Sequence, residues 1–378
     1  MPRPIRQTLE NLIEARTTRR KAMQSIMAAG GAMTAFWCLP SKPDLQASPV
    51  DTEPLGFASL PHVPKDAANG EASTIGVANG FETQVLLAWG DPLFDGVEPN
   101  PTDKNVEAGA EKLRELGDAC VIPIGGGSSM DCGKSVALLA ANGGSVADLQ
   151  GGTPVAAKAP VIAVPTTAGT GSETNSACVI TNTELGRKTY VIHPSITPAF
   201  AVLDPDLTVG LPTYPTATCG YDVLTHAIEA FVALGANNYS DKIALEAIAK
   251  VALYLRKVVQ DGTDIEARSQ MLLASAQAAQ AFNVAGLGSV HGTGHAISAR
   301  LNAAHGQTLA TMLPHVMEYN MPEREDKYAE VARVLAPQGP ATAAAAIDAV
   351  LAIRSDIGID RSISDLGGTD ELLAVLVE

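Results

Sequence analysis

A chain of 378 residues, 46 % apolar and 18 % charged, is long enough for two cores and too apolar to stay unfolded. Its net charge of −15 argues against a partner recognised through a phosphate backbone, which needs a basic face. No run reaches the ~18 apolar residues of a membrane span. Five scattered cysteines (38, 120, 132, 178 and 219), with no C-x-x-C spacing, read as free thiols of a reducing compartment rather than a disulfide framework.

Residues 1–37 form a basic leader or an N-terminal helix. Within them RTTRRKAMQSIMAAGGAMTAFW, with its twin Arg19 and Arg20, reads either as an amphipathic helix with a basic end, the preferred reading, or as a twin-arginine export signal. Residues 38–84 are dense in Pro, Ser and Asp and keep no period of 2 or 3.6, which predicts an irregular or disordered segment. Order resumes with a strand from Thr83 in TQVLLAWG. A helix pattern follows over 104–116, with Val106, Ala110, Leu113 and Leu116 in register.

Two apolar runs, ACVIPI (119–124) and APVIAVP (159–165), are each followed by a loop rich in glycine or hydroxyl groups. The first loop, GGGSSMD, leads into a helix pattern in CGKSVALLAANGG. Strand, glycine loop and helix in repetition predict a parallel α/β sheet. From Leu211 the strand-like runs stop and helix patterns dominate, among them 241–259 and 266–282. The expected organisation is an α/β domain over 85–210 and a helical domain over 211–378.

The first glycine loop, Gly125, Gly126, Gly127 and Ser128, offers bare N–H groups and a helix start to an anion such as a pyrophosphate, although most glycine runs are plain turns. The loop after the second run, TTAGTGSE, would share the carboxyl edge of the same sheet, where α/β proteins bind ligands; Lys188 offers a cation. In the helical part, Asp222 and His226 are four residues apart, as are His291 and His295, so each pair shares a helix face. His305 follows ten residues after His295, beside Gly306, where a turn brings it back. One such pair alone is usually surface decoration or a satisfied core pair. Two pairs set in apolar, small-residue helices want a partner, and these oxygen and nitrogen donors suit Fe(II), Zn(II) or Mn(II).

The motifs FDGVEPNPT, GGGSSMDCGK, PTTAGTGSE, DPDL, YDVLTHAIEAF, GLGSVHGTGHAIS, AAHG and LPHVMEYN, in this order between about Leu93 and Leu335, resemble the iron-dependent (group III) alcohol dehydrogenases. The resemblance implies a dinucleotide-binding α/β domain with a parallel sheet, followed by an all-helical C-terminal domain, with the site in the cleft. It implies Asp222, His226, His291 and His305 as the ligands of Fe(II), with Zn(II) able to substitute, and His295 as a proton relay. It implies Gly125, Gly126, Gly127 and Ser128 as the pyrophosphate loop, Thr166 and Thr167 as nicotinamide-nucleotide lining, and Lys188 as a contact of NAD or NADP.

The implied function is hydride transfer between a small alcohol or aldehyde and NAD(P). The enzyme is expected in the cytoplasm, where that cofactor is, with no nucleic-acid or membrane partner; helical domains of this kind often associate into homo-oligomers. The rival readings are a metal-dependent hydrolase or lyase, weakened by the absence of H-E-x-x-H, and a non-catalytic relative that still holds metal. Ahead of FDGVEPNPT the family's βαβ unit and its ribose-binding aspartate are not recognisable. Family members also usually continue through another helix at the far end. The cofactor domain is therefore expected to be incomplete and to distinguish NAD poorly from NADP.

Overall fold

The apolar run 119–124 contains two prolines' worth of trouble for a strand, its own Pro123 and, across the ladder, Pro160. Proline has no N–H to give a neighbour. The ladder forms all the same, in pieces. The Val121 N–H reaches the Pro160 carbonyl at 2.8 Å, Ile162 N–H reaches Val121 at 3.0 Å, and the Pro123 carbonyl accepts from Val164 at 3.0 Å. What remains continuous is short: β1 is Ile124–Gly125, β2 is Ile162–Pro165 and β5 is Phe200–Ala201, in the order β1-β2-β5, all parallel. The computed structural model describes residues 97, 100–117, 119–149, 159–301 and 303–369, which belong to one compact unit. The leader, the irregular segment 38–84 and the strand from Thr83 lie outside the described residues.

Helix α1 (Asp103–Leu116) opens on a capping box between Thr102 and Asn105, and buries Val106, Ala110 and Leu113. Helix α2 (Gly127–Asn142) starts inside the first glycine loop, earlier than the hydrophobic pattern alone indicates. The two helices share a core with Cys178 and Ile180, which belong to an antiparallel hairpin of β3 (Ala177–Asn182) and β4 (Arg187–Ile192) that the sequence reading did not anticipate. Its turn carries Gly186 at φ +58°.

From Thr213 the described residues are helical: α3 (Thr213–Val232), α4 (Asn238–Gln260), α5 (Ile265–Ala285), α6 (Ser289–Leu301), α7 (His305–Leu335) and α8 (Ala343–Asp356). Helix α4 shows why. Asn237 caps it by accepting from the N–H groups of Tyr239 and Ser240. Ala244, Ala247, Ile248, Val251, Leu255 and Val258 then fall on one buried face. That face packs into a core with Tyr221, Leu224 and Phe231 of α3 and Met312 and Leu313 of α7. Each fully buried side chain of this size is worth about 1.5–3 kcal/mol.

Helix α7 carries Pro314 and Pro322 and is bent at Arg324, which leaves helical φ/ψ. Pro314 has no N–H for the Ala310 carbonyl one turn earlier. Arg354 of α8 supplies the missing donor at 3.2 Å. The segment after α8 adds more: Gln307 donates to the Ile359 carbonyl at 2.9 Å and Thr311 to that of Arg361 at 2.9 Å. Among the described residues no helix is long and apolar enough to cross a membrane, and Cys120, Cys132, Cys178 and Cys219 are free thiols.

Candidate metal and nucleotide site

Three helices bring the polar cluster together. Helix α3 carries Asp222 and His226 one turn apart; α6 supplies His291 and His295; α7 begins at His305. The approach of α7 to α3 is close at Gly306, where a Cβ would stand 2.1 Å from the Thr218 carbonyl oxygen, so that only glycine lets His305 reach its place.

Asp222, His226 and His291 are buried, and their donor atoms converge. Asp222 Oδ1 lies 3.5 Å from His226 Nδ1, 3.4 Å from His291 Nε2 and 3.9 Å from His305 Nε2. The first three of these atoms have no hydrogen-bond partner although they are shielded from solvent. Buried polar atoms left unpaired cost about 1–3 kcal/mol each, so the arrangement asks for a further group. A tetrahedral site with metal–ligand bonds of about 2.1 Å has edges of roughly 3.4 Å. The Asp222–His226 and Asp222–His291 separations match it, so the residues fit a divalent ion. His305 stands slightly farther out, with its side chain 29 % exposed.

The outer contacts aim the rings. The Gly169 carbonyl is a partner of His226. His291 Nδ1 lies 2.5 Å from Glu229 Oε2. The rings of His226 and His291 stack at 4.4 Å. Burial works against the Asp222 charge, yet His226, His291 and His305 hold its carboxyl below the usual carboxylate range. Burial, opposed by Asp222, brings His226 down to about 4 and His305 to about 3. For His291 burial is outweighed by the nearby carboxylates of Asp222 and Glu229, and it rises to about 9.

His295 is not part of this converging set. Its Nδ1 is hydrogen-bonded to the Tyr190 hydroxyl of β4, and its ring lies 4.8 Å from that of His305. Burial and the neighbouring His305, His291 and Lys188 hold its pKa well below the ordinary value, so it is neutral near pH 7. Neither Tyr190 nor Glu229 was singled out from the sequence; Glu229, seven residues after Asp222 on the same helix face, was legible in principle.

On the α/β side, β1 and β2 are parallel neighbours, and the two loops that follow them meet as expected. Thr166 N–H donates to the Gly125 carbonyl at 2.8 Å, and the Gly126 Cα faces the Thr167 side chain. Helix α2 starts at Gly127 with Ser128 in its first turn, and no side chain caps it at Gly126. Its first N–H groups are thus presented bare, as an anion site requires. The second loop is held by Lys134 of α2, fully buried, whose Nζ donates to the carbonyls of Ser172 (2.8 Å), Asn175 (3.3 Å) and Ala177 (2.8 Å) and to Asn175 Oδ1 (3.1 Å). Asp131 accepts from the Ser172 hydroxyl and the Val179 N–H. Lys188 of β4 pairs by register with Thr181; burial lowers its pKa and Asp131 opposes that shift.

The family model for iron-containing alcohol dehydrogenase matches residues 86–205, and that for the C-terminal part of the Fe-containing alcohol dehydrogenase family matches 216–378. The chain belongs to the iron-containing alcohol dehydrogenase family. The match runs to Glu378, past the Leu335 limit of the motif resemblance. Among its relatives is the NAD-dependent methanol dehydrogenase of Bacillus methanolicus, 38 % identical over 292 residues, which are 76 % of this chain and 77 % of that one. The 1,3-propanediol dehydrogenase of Klebsiella pneumoniae is 39 % identical over 281 residues, 73 % of either chain. The crystal structure of a 1,3-propanediol oxidoreductase superposes with a TM-score of 0.72 at 37 % identity, covering 75 % of this chain and 76 % of the other.

The chain is accordingly a metal-dependent alcohol oxidoreductase of the iron-containing type that works with a nicotinamide cofactor. The family's architecture, a parallel sheet followed by a helical region, is the one seen here. The hydrolase, lyase and non-catalytic readings are not favoured by these relatives.

Proposed function

We propose that Asp222, His226, His291 and His305 hold one divalent ion, Fe(II) or Zn(II), and that the enzyme moves a hydride between a small alcohol or aldehyde and NAD or NADP. The observation that carries this reading is the convergence of three buried, unpartnered atoms: His226 Nδ1 and His291 Nε2 each stand at the spacing of a tetrahedral edge from Asp222 Oδ1. Held there, the ion would supply Lewis-acid chemistry toward the substrate oxygen, and the nicotinamide would supply hydride-transfer chemistry.

The chain's own groups do the rest. The bare start of α2, with Gly125, Gly126, Gly127 and Ser128, binds the pyrophosphate. Thr166 and Thr167 line the nucleotide, and Lys188 adds a positive charge. His295, neutral and with Nδ1 engaged by Tyr190, has Nε2 left to accept the substrate's proton. The relatives named above for methanol and 1,3-propanediol support a short, unbranched alcohol as substrate. The proposed compartment is the cytoplasm and the proposed state a homo-oligomer, with residues 85–210 and 211–378 as the two domains.

The test is NAD⁺ and NADP⁺ reduction by the full chain, loaded in turn with Fe(II) and Zn(II), against a panel of short primary alcohols and diols. Stoichiometric metal with NADH formation is expected. A protein that takes up neither ion, or that holds metal and reduces neither nucleotide, would overturn the reading.

A further inference from the structure

One buried carboxylate next to the cluster is aimed at it indirectly. Asp222, His226 and Glu229 stand at i, i+4 and i+7 of α3, a single face of the helix. Glu229 is 3 % exposed, and three donors of α6 surround it. Its Oε1 accepts the Val290 N–H at 2.8 Å; its Oε2 accepts the His291 N–H at 3.3 Å and lies 2.5 Å from His291 Nδ1. Room for this is made at Gly288, where a Cβ would stand 2.4 Å from Glu229 Oε1.

We infer that Glu229 is the positioning residue of the metal centre: it fixes the proton of His291 on Nδ1 and swings the ring so that Nε2 faces the ion. The inference rests on the metal-binding reading above. A carboxylate that only finished the helix start would need one oxygen on the backbone. Here the second oxygen also takes the ring, at 2.5 Å, closer than its 3.3 Å contact to the His291 N–H and shorter than the usual ~2.7–2.9 Å of a charge-assisted N–H···O bond. With Nδ1 so engaged, the ring nitrogen left over is Nε2, which is the unpartnered atom 3.4 Å from Asp222 Oδ1. Partners of this kind set tautomer and orientation of metal-ligating histidines. An amide cannot replace the carboxylate, because it has one accepting oxygen and the site presents donors to both. Glu229→Gln satisfies either the ring or the start of α6.

The experiment titrates the metal-free full chain and Glu229→Gln with Co(II) against a competing chelator, recording the visible ligand-field bands and the melting temperature of each metal-free protein. Binding about 10–100-fold weaker in the variant, with shifted bands, is expected. Unchanged affinity and bands, even with a lower melting temperature, would reduce Glu229 to a helix cap and overturn the inference. In the Zn(II)-loaded wild type, long-range proton–nitrogen NMR should show His291 protonated at Nδ1. This measurement decides the matter if the variant does not fold, and a proton on Nε2 overturns the inference. Wild-type protein that binds neither Co(II) nor Zn(II) removes the metal centre and its positioning residue together. Equal binding by both proteins removes Glu229 alone.

Discussion

Helix α3 offers its chemistry through side chains a turn apart, Asp222, His226 and Glu229, whereas α2 offers its chemistry through a bare end that no side chain caps. The buried carboxylates follow the same division. Those of α3 are kept charged by the histidines around them. Glu173, in the loop after β2, is 2 % exposed, has an oxygen without a partner, and is pushed up to about 7 by burial against the pull of a backbone bond and of Lys134. The proposed metal half should therefore be sensitive to atoms taken away, and the proposed nucleotide half to atoms added.

The largest effect expected from this division is at His226. His226→Ala removes a proposed ligand and one of the three rings around Asp222, so the purified variant should carry no stoichiometric metal by elemental analysis; full occupancy would break the comparison at its strongest point. His295→Gln comes next. The ring lies outside the converging atoms, so metal should stay, while turnover falls by about 10²–10⁴-fold, most at low pH, where the substrate proton leaves least readily. Loss of metal in that variant would move His295 into the ligand set.

Glu173 tests the contrast between the carboxylates. Its folded-state pKa is raised from 4.5 to about 7, so folding favours the protonated form. That contribution is full below the ordinary value and is lost as pH climbs through 7. Glu173→Gln should then be more stable than the parent by on the order of 2–3 kcal/mol in mildly alkaline denaturant titrations, the gap closing as the pH falls below about 5. A gap independent of pH would show that Glu173 is not titrating in the fold.

The smallest effect is the sharpest probe of the bare helix end. Gly126 sits at φ −82° and ψ −169°, open to any residue, and a Cβ there would meet the Thr167 side chain at 3.4 Å. Gly126→Val should keep fold and metal and weaken NAD(H) by about tenfold or more in calorimetry, roughly 1.4 kcal/mol. Equal affinity would make the loop an ordinary turn.

The two regions also differed in how far the sequence could be read. The four-residue spacings of Asp222 with His226 and His291 with His295 place side chains wherever a helix forms, and the helices did form. His305 and His295 could not be told apart by spacing: His305 faces Asp222 because α7 begins there, and His295 turns to Tyr190 instead. The strands were harder, because Pro123 and Pro160 break a ladder that the apolar runs suggest is continuous. The β3–β4 hairpin, which carries Tyr190, has a weak signature in the sequence: Cys178 and Ile180 alternate with half-buried residues, but no N-G or D-G turn marks it. Glu229 shares the face of Asp222 at i+7, but its apolar flanks in AIEAF mask that spacing, and its donors on α6 lie 61 and 62 residues away.

The repair of Pro314 sets a timetable for the newborn chain. The Ala310 carbonyl is sealed from water, and the donor that answers it, on Arg354, lies 44 residues further along. Gln307, two positions from His305, waits even longer for Ile359. A ribosome adding about 5–20 residues per second has by then released Asp222, His226 and His291 for several seconds. The helix that carries the last proposed ligand gains its ties to Arg354, Ile359 and Arg361 only once that part of the chain has emerged. The order of synthesis thus places the last side-chain ties of this helix well after the proposed ligands.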